Sequence, residues 1–463
     1  MDSTTIAAIA TPAGIGGIGI IRVSGTNALH IAQAVFRRSD RSQRRHAFLP
    51  ESHRFYYGHI VSPESGRVLD EALLVLMMAP RSYTREDVLE IHVHSGPAAL
   101  RAVLDLILRQ GAVLAAPGEF TRRAFLNGRI DLTQAEAVID VITAKTERAL
   151  HSATAQVQGA LKDHVASIRS VIREILAETE AAIDFPEDVG EEIDGRSILV
   201  RLEQEALRPL QALAAQYDAG HILRDGLKVI VAGKPNVGKS SLMNRLLERD
   251  RAIVTPIPGT TRDFIEESLV IRGIPILLTD TAGLHATADP IEQIGIERSV
   301  SRIEKADLVL FMTAAGSPLT NEDKEIHDLI QSKTAIWVEN KSDLHAAGPA
   351  APPPDTWRPM PRVSISALHD QGIDALKQMI ETIALAPSLA CESAIIPNLR
   401  HQHLLADGAA ALVSAAEGIQ NGTPFELVNM DIQSADDALR EVIGVTIRED
   451  ILDQIFERFC IGK

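Results

Sequence analysis

Cysteine is nearly absent: Cys391 and Cys460 are the only two in 463 residues. So few thiols exclude a disulfide scaffold and fit a reducing compartment. Basic residues are missing from the opening stretch "MDSTTIAAIATPAG", which carries Asp2 and is followed by no Lys or Arg before Arg22. It therefore lacks the basic start of a secretory signal. Long apolar runs are missing as well. The clearest, "ALLVLMMA", falls far short of the ~20 residues a membrane helix needs. Positive charge is also scarce, with 46 Lys and Arg against 62 Asp and Glu and a net charge of −16. A global field that draws nucleic acid is thus absent, and any RNA contact must use a local patch or a partner. One basic stretch exists, "RRSDRSQRRH" at 37–46, and a solvated loop accounts for it most simply. No repeat at solenoid periods is visible. These absences describe a soluble cytoplasmic protein, with no membrane partner, whose length suits two to four domains of about 100–200 residues.

Three textures follow one another. The first mixes β-like runs ("GIGIIRV", "EALLVLMM", "VLEIHVH") with a helix-like stretch, "PAALRAVLDLILRQG", as an α+β domain does. The second is helical. "DLTQAEAVIDVITAKTERAL" opens with Asp131 and has Gln134 three residues on, the spacing of an N-terminal cap. Val138, Val141 and Ile142 then recur at helical spacing, and "FPED" at 185–188 breaks the pattern. The third alternates strands and helices: "LKVIVAG", "SLVI", "IPILLTD", "ADLVLFMT", "AIWVEN", "RVSISA". That rhythm predicts a mostly parallel sheet with helices on both faces. Inside it, the proline-dense "GPAAPPPDTWRPMP" reads as a loop. Helical texture then returns. Thr446 and Glu449 have capping-box spacing, and Ile451, Leu452, Ile455, Phe456 and Phe459 line one face. The economical organisation is one helical domain split by an inserted α/β domain. The expected boundaries are 1–120, 121–220, 221–380 and 381–463.

"GKPNVGKS" at 233–240 fits G-x-x-x-x-G-K-[ST] between a strand and a helix, the context the motif needs. Gly233 and Gly238 let the backbone wrap phosphate oxygens, and Asn236 and Val237 lie within the same turn. The N–H groups and helix N-terminus supply positive potential. Lys239 can reach the β- and γ-phosphates, and Ser240 can hold Mg²⁺. "DTAG" follows an apolar strand: Asp280 can support Mg²⁺, and the Gly283 N–H can contact the γ-phosphate, with Thr281 and Ala282 between them. "GTTRD" at 259–263 lies where a switch loop belongs, and Thr261 offers a second hydroxyl to Mg²⁺. "NKSD" places Asn340 and Lys341 before Asp343, whose carboxylate can accept two hydrogen bonds from guanine and none of that kind from adenine. "SAL", with Ser366 and Ala367, is the loop type that meets the guanine O6. A turn, a strand end and a loop explain these pieces singly. Four in order predict a GTP site.

Ras-like GTPases place a Gln after the DxxG element to orient the attacking water. Here Leu284 stands there, so another group must act. Arg262 can serve as an arginine in cis. A monovalent cation near the phosphates can do the same work, with the Asn236 amide as a ligand. Asp289 and Glu292 are carboxylates able to orient water.

With these elements in view, the whole chain resembles the MnmE (TrmE) family of tRNA-modification GTPases. The resemblance rests on "ATPAGIGGIGIIRVSG", "PGEFTRRAFLNGRIDLTQAEAV", "AAIDFPED", "GKPNVGKSSLMNRL", "IPGTTRD", "DTAGLH", "IGIER" and "FCIGK". It implies an N-terminal folate-binding domain, a split helical domain, an inserted Ras-like G domain and a homodimer held by the N-terminal domains. It also implies a heterotetramer with the FAD- and NADH-using MnmG (GidA). Together the two add an aminomethyl or carboxymethylaminomethyl group to carbon 5 of the wobble uridine of certain tRNAs, with the carbon drawn from a tetrahydrofolate of the 5-formyl type. Carried over by position, K⁺ falls to Asn236, Thr255, Ile257 and Thr260, and Mg²⁺ to Ser240 and Thr261. Glu292 takes the water-orienting role in preference to Arg262, beside Lys239 as the second catalytic group. The folate falls to Arg22, Glu90, Arg129 and Lys463.

Some positions depart from the family pattern. Ile15 replaces a frequent basic residue, Arg85 and Ser95 stand where Gly is common, Arg129 replaces a frequent Lys, and His285 a frequent Arg. Two rival readings remain: a regulatory GTPase of ribosome assembly, and a folate-dependent one-carbon-transfer enzyme with a passive G domain. A basic RNA-binding module would favour the first, and folate turnover by the isolated chain the second. The ending "FCIGK" has the outline of a prenylation box, but Lys463 fits it poorly and no second lipid signal precedes it. Cys460 is then either a buried apolar residue closing the last helix or a functional thiol beside the folate site.

Overall fold

The computed structural model describes residues 4–12, 14–39, 48–185, 194–250, 266–280, 303–344, 354, 357, 359–385 and 395–463. It divides into two compact units: Met1–Ile139, Val157–Ser167 and Asp436–Lys463 form the first, and Asp140–Gln156 and Ile168–Ala435 the second.

The first unit is built on a seven-stranded sheet. Its strands are β1 (Ile6–Ile9), β2 (Gly19–Ser24), β3 (Phe36–Arg38), β4 (Phe55–Val61), β5 (Val68–Met77), β6 (Val88–Val93) and β7 (Val113–Leu114), in the order β3-β4-β5-β6-β2-β1-β7. Helices α1 (Ala28–Val35) and α2 (Pro97–Arg109) cover one face. There Ile21, Val23, Leu89 and Ile91 pack with Ile31, Val35, Val103 and Leu106. Side chains alternate along a strand, so burying Ile21 and Val23 sends Arg22 to the other face. The antiparallel register sets Arg22 opposite Glu90.

Helix α3 (Glu119–Leu126) follows, then α4 (Leu132–Thr143). The expected cap of α4 is present: the Gln134 N–H donates to Asp131 Oδ1 and the Asp131 N–H to Gln134 Oε1, both at 3.0 Å. The helix is shorter than the pattern suggests, and α5 (Glu147–Val157) starts anew. Thr146 accounts for the break, since its hydroxyl accepts from the Ala149 N–H at 3.2 Å and caps α5. Ile142, one of the apolar residues at helical spacing, is exposed.

The second unit holds helices α6 (Ala160–Asp184, from Ile168), α7 (Gly195–Arg201), a π-helical turn (Leu202–Leu207) and α8 (Arg208–Asp225). Its six-stranded sheet has β8 (Leu227–Ala232), β9 (Glu266–Ile271), β10 (Ile274–Asp280), β11 (Leu308–Ala314), β12 (Ala335–Asn340) and β13 (Arg362–Ser364), in the order β13-β12-β11-β8-β10-β9. All neighbours are parallel except the edge pair β9 and β10. Every strand read from the sequence of this region is found. The sheet is covered on both faces, as parallel sheets are. Val229 and Val231 of β8 join one cluster with α9 (Lys239–Asp250) and α11 (Ile373–Leu385), while Ile230 and Ala232 join another with α10 (Asn321–Ile330). Trp357, in the proline-dense loop, is buried there, stacked on His327 at 4.5 Å. Helices α12 (Leu399–Gln420) and α13 (Phe425–Val442, as far as Ala435) follow, with the rest of α13 and α14 (Glu449–Phe456) in the first unit.

Helix α14 starts later than its capping-box spacing predicts. Arg448, not Thr446, occupies the N-cap position, without a side-chain cap. Asp450 instead pairs with Arg448 at 2.9 Å. The predicted apolar face holds: Leu452, Phe456 and Phe459 pack with Leu132 and Ala135.

Candidate functional sites: a phosphate loop and a charged cluster

The loop from Gly233 to Gly238 joins β8 to α9. A Cβ on Gly233 would lie 2.4 Å from the Met312 carbonyl of β11, so the loop leaves the sheet by direct backbone contact. Gly238 has φ +98, and a Cβ there would lie 2.2 Å from Asn340 Nδ2. Only glycine tolerates both conditions.

Asn340, at the end of β12, is the joint of the site. Its Nδ2 donates to the Val237 carbonyl at 2.8 Å, and its Oδ1 accepts from the Ala367 N–H at 3.0 Å. Lys341 adds a second stitch, donating from Nζ to the Asn236 carbonyl at 2.6 Å. Both Lys341 and Asn236 have positive φ, at 64° and 63°. The phosphate loop, "NKSD" and "SAL" are therefore one structure, although more than 100 positions separate Val237 from Asn340.

Ser366 Oγ donates to Asp343 Oδ1 at 2.5 Å, and His369 Nε2 lies 3.7 Å from the other oxygen. The Ser366 hydrogen bond, helped by the charges of His369 and Lys341, holds the Asp343 carboxyl below the usual carboxylate range. Lys239 Nζ donates to the carbonyls of Gly233 at 2.7 Å and Lys234 at 3.0 Å. Ser240 is exposed in the first turn of α9. Asp280 closes β10 beside Val231 of β8, next to the strand that feeds the loop. Thr255, Ile257, Thr260, Thr261, Arg262, Thr281, Ala282, Gly283, Asp289 and Glu292 lie outside the described residues, as do Leu284, His285 and Cys391.

The first unit gathers a second set. Arg22 donates from Nε to Glu90 Oε1 at 2.9 Å, and its Nη2 lies 2.8 Å from the same oxygen. Its Nη1 donates to the Gly462 carbonyl at 3.1 Å. The Phe120 N–H donates to the Lys463 carbonyl at 3.2 Å, which brings the tail to the same place. Gly462 turns the tail at φ +97, and a Cβ there would lie 2.5 Å from the Ile9 carbonyl. Burial, then the charge of Arg22, push the Lys463 ammonium below its ordinary value, against the opposing pull of Glu90 and Cys460.

Arg129 stands one ring away. Its guanidinium lies 4.6 Å from the Tyr83 ring centroid and donates to the Tyr83 carbonyl at 3.1 Å, while Arg22 lies 5.8 Å from the same ring. Arg22, Glu90 and Lys463 thus share one cluster, and Arg129 joins it through Tyr83. Tyr83 is absent from the sequence reading, and no local pattern marks it. His92 is also new: its Nε2 lies 3.6 Å from Glu90 Oε2. Strand alternation carries a signal for it, two residues on from Glu90.

Cys460 is exposed, which overturns its reading as a buried apolar residue. The helix seals itself with Phe456 and Phe459, whose rings sit 5.5 Å apart, and leaves the thiol outside. Two departures from the family pattern have structural roles. Arg85 holds φ +60 and donates to the Asn127 carbonyl at 3.0 Å. Ser95 Oγ accepts from the Gly16 N–H at 2.9 Å. Ile15 is exposed.

A parallel sheet, a phosphate loop opening a helix and an Asn-Lys-x-Asp loop stitched to it define a P-loop protein of the GTPase class. Residues 5–129 match the family described as "GTP-binding protein TrmE N-terminus", and residues 132–460 the "MnmE helical domain". A protein named tRNA modification GTPase MnmE from Geobacter sulfurreducens is 48% identical over 461 residues, 99% of each chain. Its namesake from Geobacillus kaustophilus is 46% identical over 462 residues, again 99% of both. The chain belongs to the MnmE family. Among solved structures, Era from Aquifex aeolicus is 26% identical, with 40% of this chain and 66% of that one covered and a TM-score of 0.28, too loose a likeness to carry an argument.

Proposed function

We propose that this chain binds and hydrolyses GTP and spends the hydrolysis on modifying tRNA. The observation that carries the reading is Asn340, whose amide ties the phosphate loop to the loop that bears Asp343. Such a joint lets one site read phosphates and a purine edge together. The backbone of Asn236, Val237 and Gly238 cradles the phosphates, and Lys239 exchanges loop carbonyls for phosphate oxygens. Asp343 reads guanine, aided by Ser366 and Ala367. Asp280 to Gly283, Thr255, Thr260 and Thr261 complete the set, and Glu292 orients water.

The donors fit the expected cations. The exposed Ser240 hydroxyl suits Mg²⁺, a role it would share with Thr261, and the Asn236 amide suits K⁺, a role it would share with Thr255, Ile257 and Thr260. When bound, these ions supply positive charge to the phosphoryl group in transfer.

The wider reading is that of the family. Residues 1–120 form the folate-binding and dimerisation domain, 121–220 and 381–463 the split helical domain, and 221–380 the G domain. Arg22, Glu90, Arg129 and Lys463 hold a 5-formyl-tetrahydrofolate-type molecule. Glu90 Oε2, the oxygen Arg22 leaves unused, suits a pterin donor edge, and the arginines suit carboxylates. The homodimer joins MnmG, which brings FAD and NADH, and together they act on the wobble uridine in the cytoplasm. Among the described residues no helix is long and apolar enough to cross a membrane.

Nucleoside analysis of tRNA from cells lacking the gene tests the reading: the modified wobble uridines should vanish, and unchanged ones would sink it. GTP turnover should be faster in K⁺ than in Na⁺, and equal rates would remove Asn236 as a K⁺ ligand.

A further inference from the structure

The phosphate loop carries two lysines, and phosphate chemistry explains only Lys239. Lys234, five positions earlier, donates to Asp323 Oδ2 at 2.8 Å and to Thr320 Oγ1 at 3.3 Å. Asp323 is the N3 residue of α10 and is fully buried at 0% exposure. Its Oδ2 also accepts from the Thr320 N–H at 2.8 Å and the Thr320 hydroxyl at 2.9 Å. Its Oδ1 is buried and has no hydrogen-bond partner. One carboxylate oxygen is crowded with three donors while the other has none.

The cap of α10 does not need the lysine. The Asp323 N–H donates to the Thr320 side chain and the Thr320 N–H to the Asp323 carboxylate, which completes the capping box without it. What Lys234 adds is a tie between the backbone of the phosphate loop and a helix that otherwise supplies nothing to the site. The tie also differs in kind from the contact made by Lys239. Lys239 Nζ bridges the carbonyls of Gly233 and Lys234, and it must leave them to reach a phosphate. The Lys234–Asp323 pair is independent of that exchange.

We infer that Lys234 is a positioning residue for nucleotide binding: it pins the first turn of the phosphate loop to α10 while Lys239 changes partners. The N–H cradle then keeps its shape, and the cost of ordering it at the moment of binding is avoided. This rests on the GTPase reading of the site.

The difficulty in testing it is that a buried carboxylate stripped of its cation destabilises a protein whatever its other role. The experiment therefore measures thermal stability and GTP and GDP affinity together, on the full chain, for three variants. Lys234→Met should lower stability and weaken both nucleotides by about tenfold. Adding Asp323→Asn removes the unpaired charge, so the double variant should regain stability yet keep the weakened binding. Lys234→Arg should restore affinity, because it keeps the charge and the reach to Asp323. The KM for GTP should rise with the lost affinity in Lys234→Met and in the double variant, and return in Lys234→Arg. If the stable double variant binds GTP like the unaltered chain, Lys234 merely neutralises Asp323 and the inference falls. If the unaltered chain itself binds no guanine nucleotide, the GTPase reading fails first and takes the tether with it.

Discussion

The phosphate loop and the Arg22 cluster both sit at the ends or faces of β-strands, yet they are made in opposite ways. The loop works through backbone. Its N–H groups, its carbonyls and the joint at Asn340 need glycine at 233 and 238, where any side chain would strike Met312 or Asn340. The cluster works through side chains. Arg22, Tyr83, Glu90, Arg129 and Lys463 come from separate stretches and meet because strand register and the returning tail bring them together. A backbone site constrains several consecutive residues, so it leaves a motif. A side-chain site constrains one residue per segment and leaves none.

That contrast sets what each site tolerates. The largest effect is expected at Gly238→Ala. The added Cβ meets Asn340 Nδ2 at 2.2 Å, and the backbone holds φ +98, so both the loop and its joint must shift. GTP affinity should fall by about 100-fold or more, a loss of the size that follows when preorganised donors move. Isothermal titration would measure it, and wild-type affinity would show that the loop does not need its glycine.

Arg22→Met should cut the other way. It removes both contacts to Glu90 and the bond to the Gly462 carbonyl, and leaves a largely buried carboxylate without its cation. Urea denaturation should show the first unit losing about 3 kcal/mol, while GTP turnover by the second unit keeps its kcat and KM. A matching fall in GTP turnover would mean that the two sites are not independent.

The smallest effect is one of pH. The Ser366 hydrogen bond keeps the Asp343 carboxyl below its usual range. A depressed carboxylate stays ionised as pH falls, and its contribution is lost only as pH passes down through the lowered value. Ser366→Ala returns it toward the ordinary range, so the acid limb of GTP binding should move to higher pH, with little change at neutrality. An unmoved limb would assign that limb to another group.

How much was legible in the sequence follows the same division. All six strands of the second sheet and the phosphate loop were readable, because apolar runs and glycine spacing are local. The capping box at Asp131 and Gln134 was readable for the same reason. Local signals failed where a competing local bond won. Thr146 starts a new helix inside a continuous helical pattern, and Arg448 with Asp450 takes the helix start that Thr446 was expected to make. Of the two readings of Cys460 the buried one fails, because helical spacing says nothing past the last turn, where two phenylalanines close the core. The Arg22 cluster was reached only through family resemblance, and Tyr83, which lies beside both arginines, was not reached at all.

Asn340 has an evolutionary consequence. Its amide fills the space that a side chain at 238 would occupy and holds Val237 with one end and Ala367 with the other. The two motifs therefore police each other, since drift in one is checked by collision with the other. On the reading proposed for Asp343, a lineage seeking a different purine is free to exchange that carboxylate, three positions on, but has to keep Asn340. On that reading base preference turns on one residue, whereas the architecture around it is heritable only as a whole.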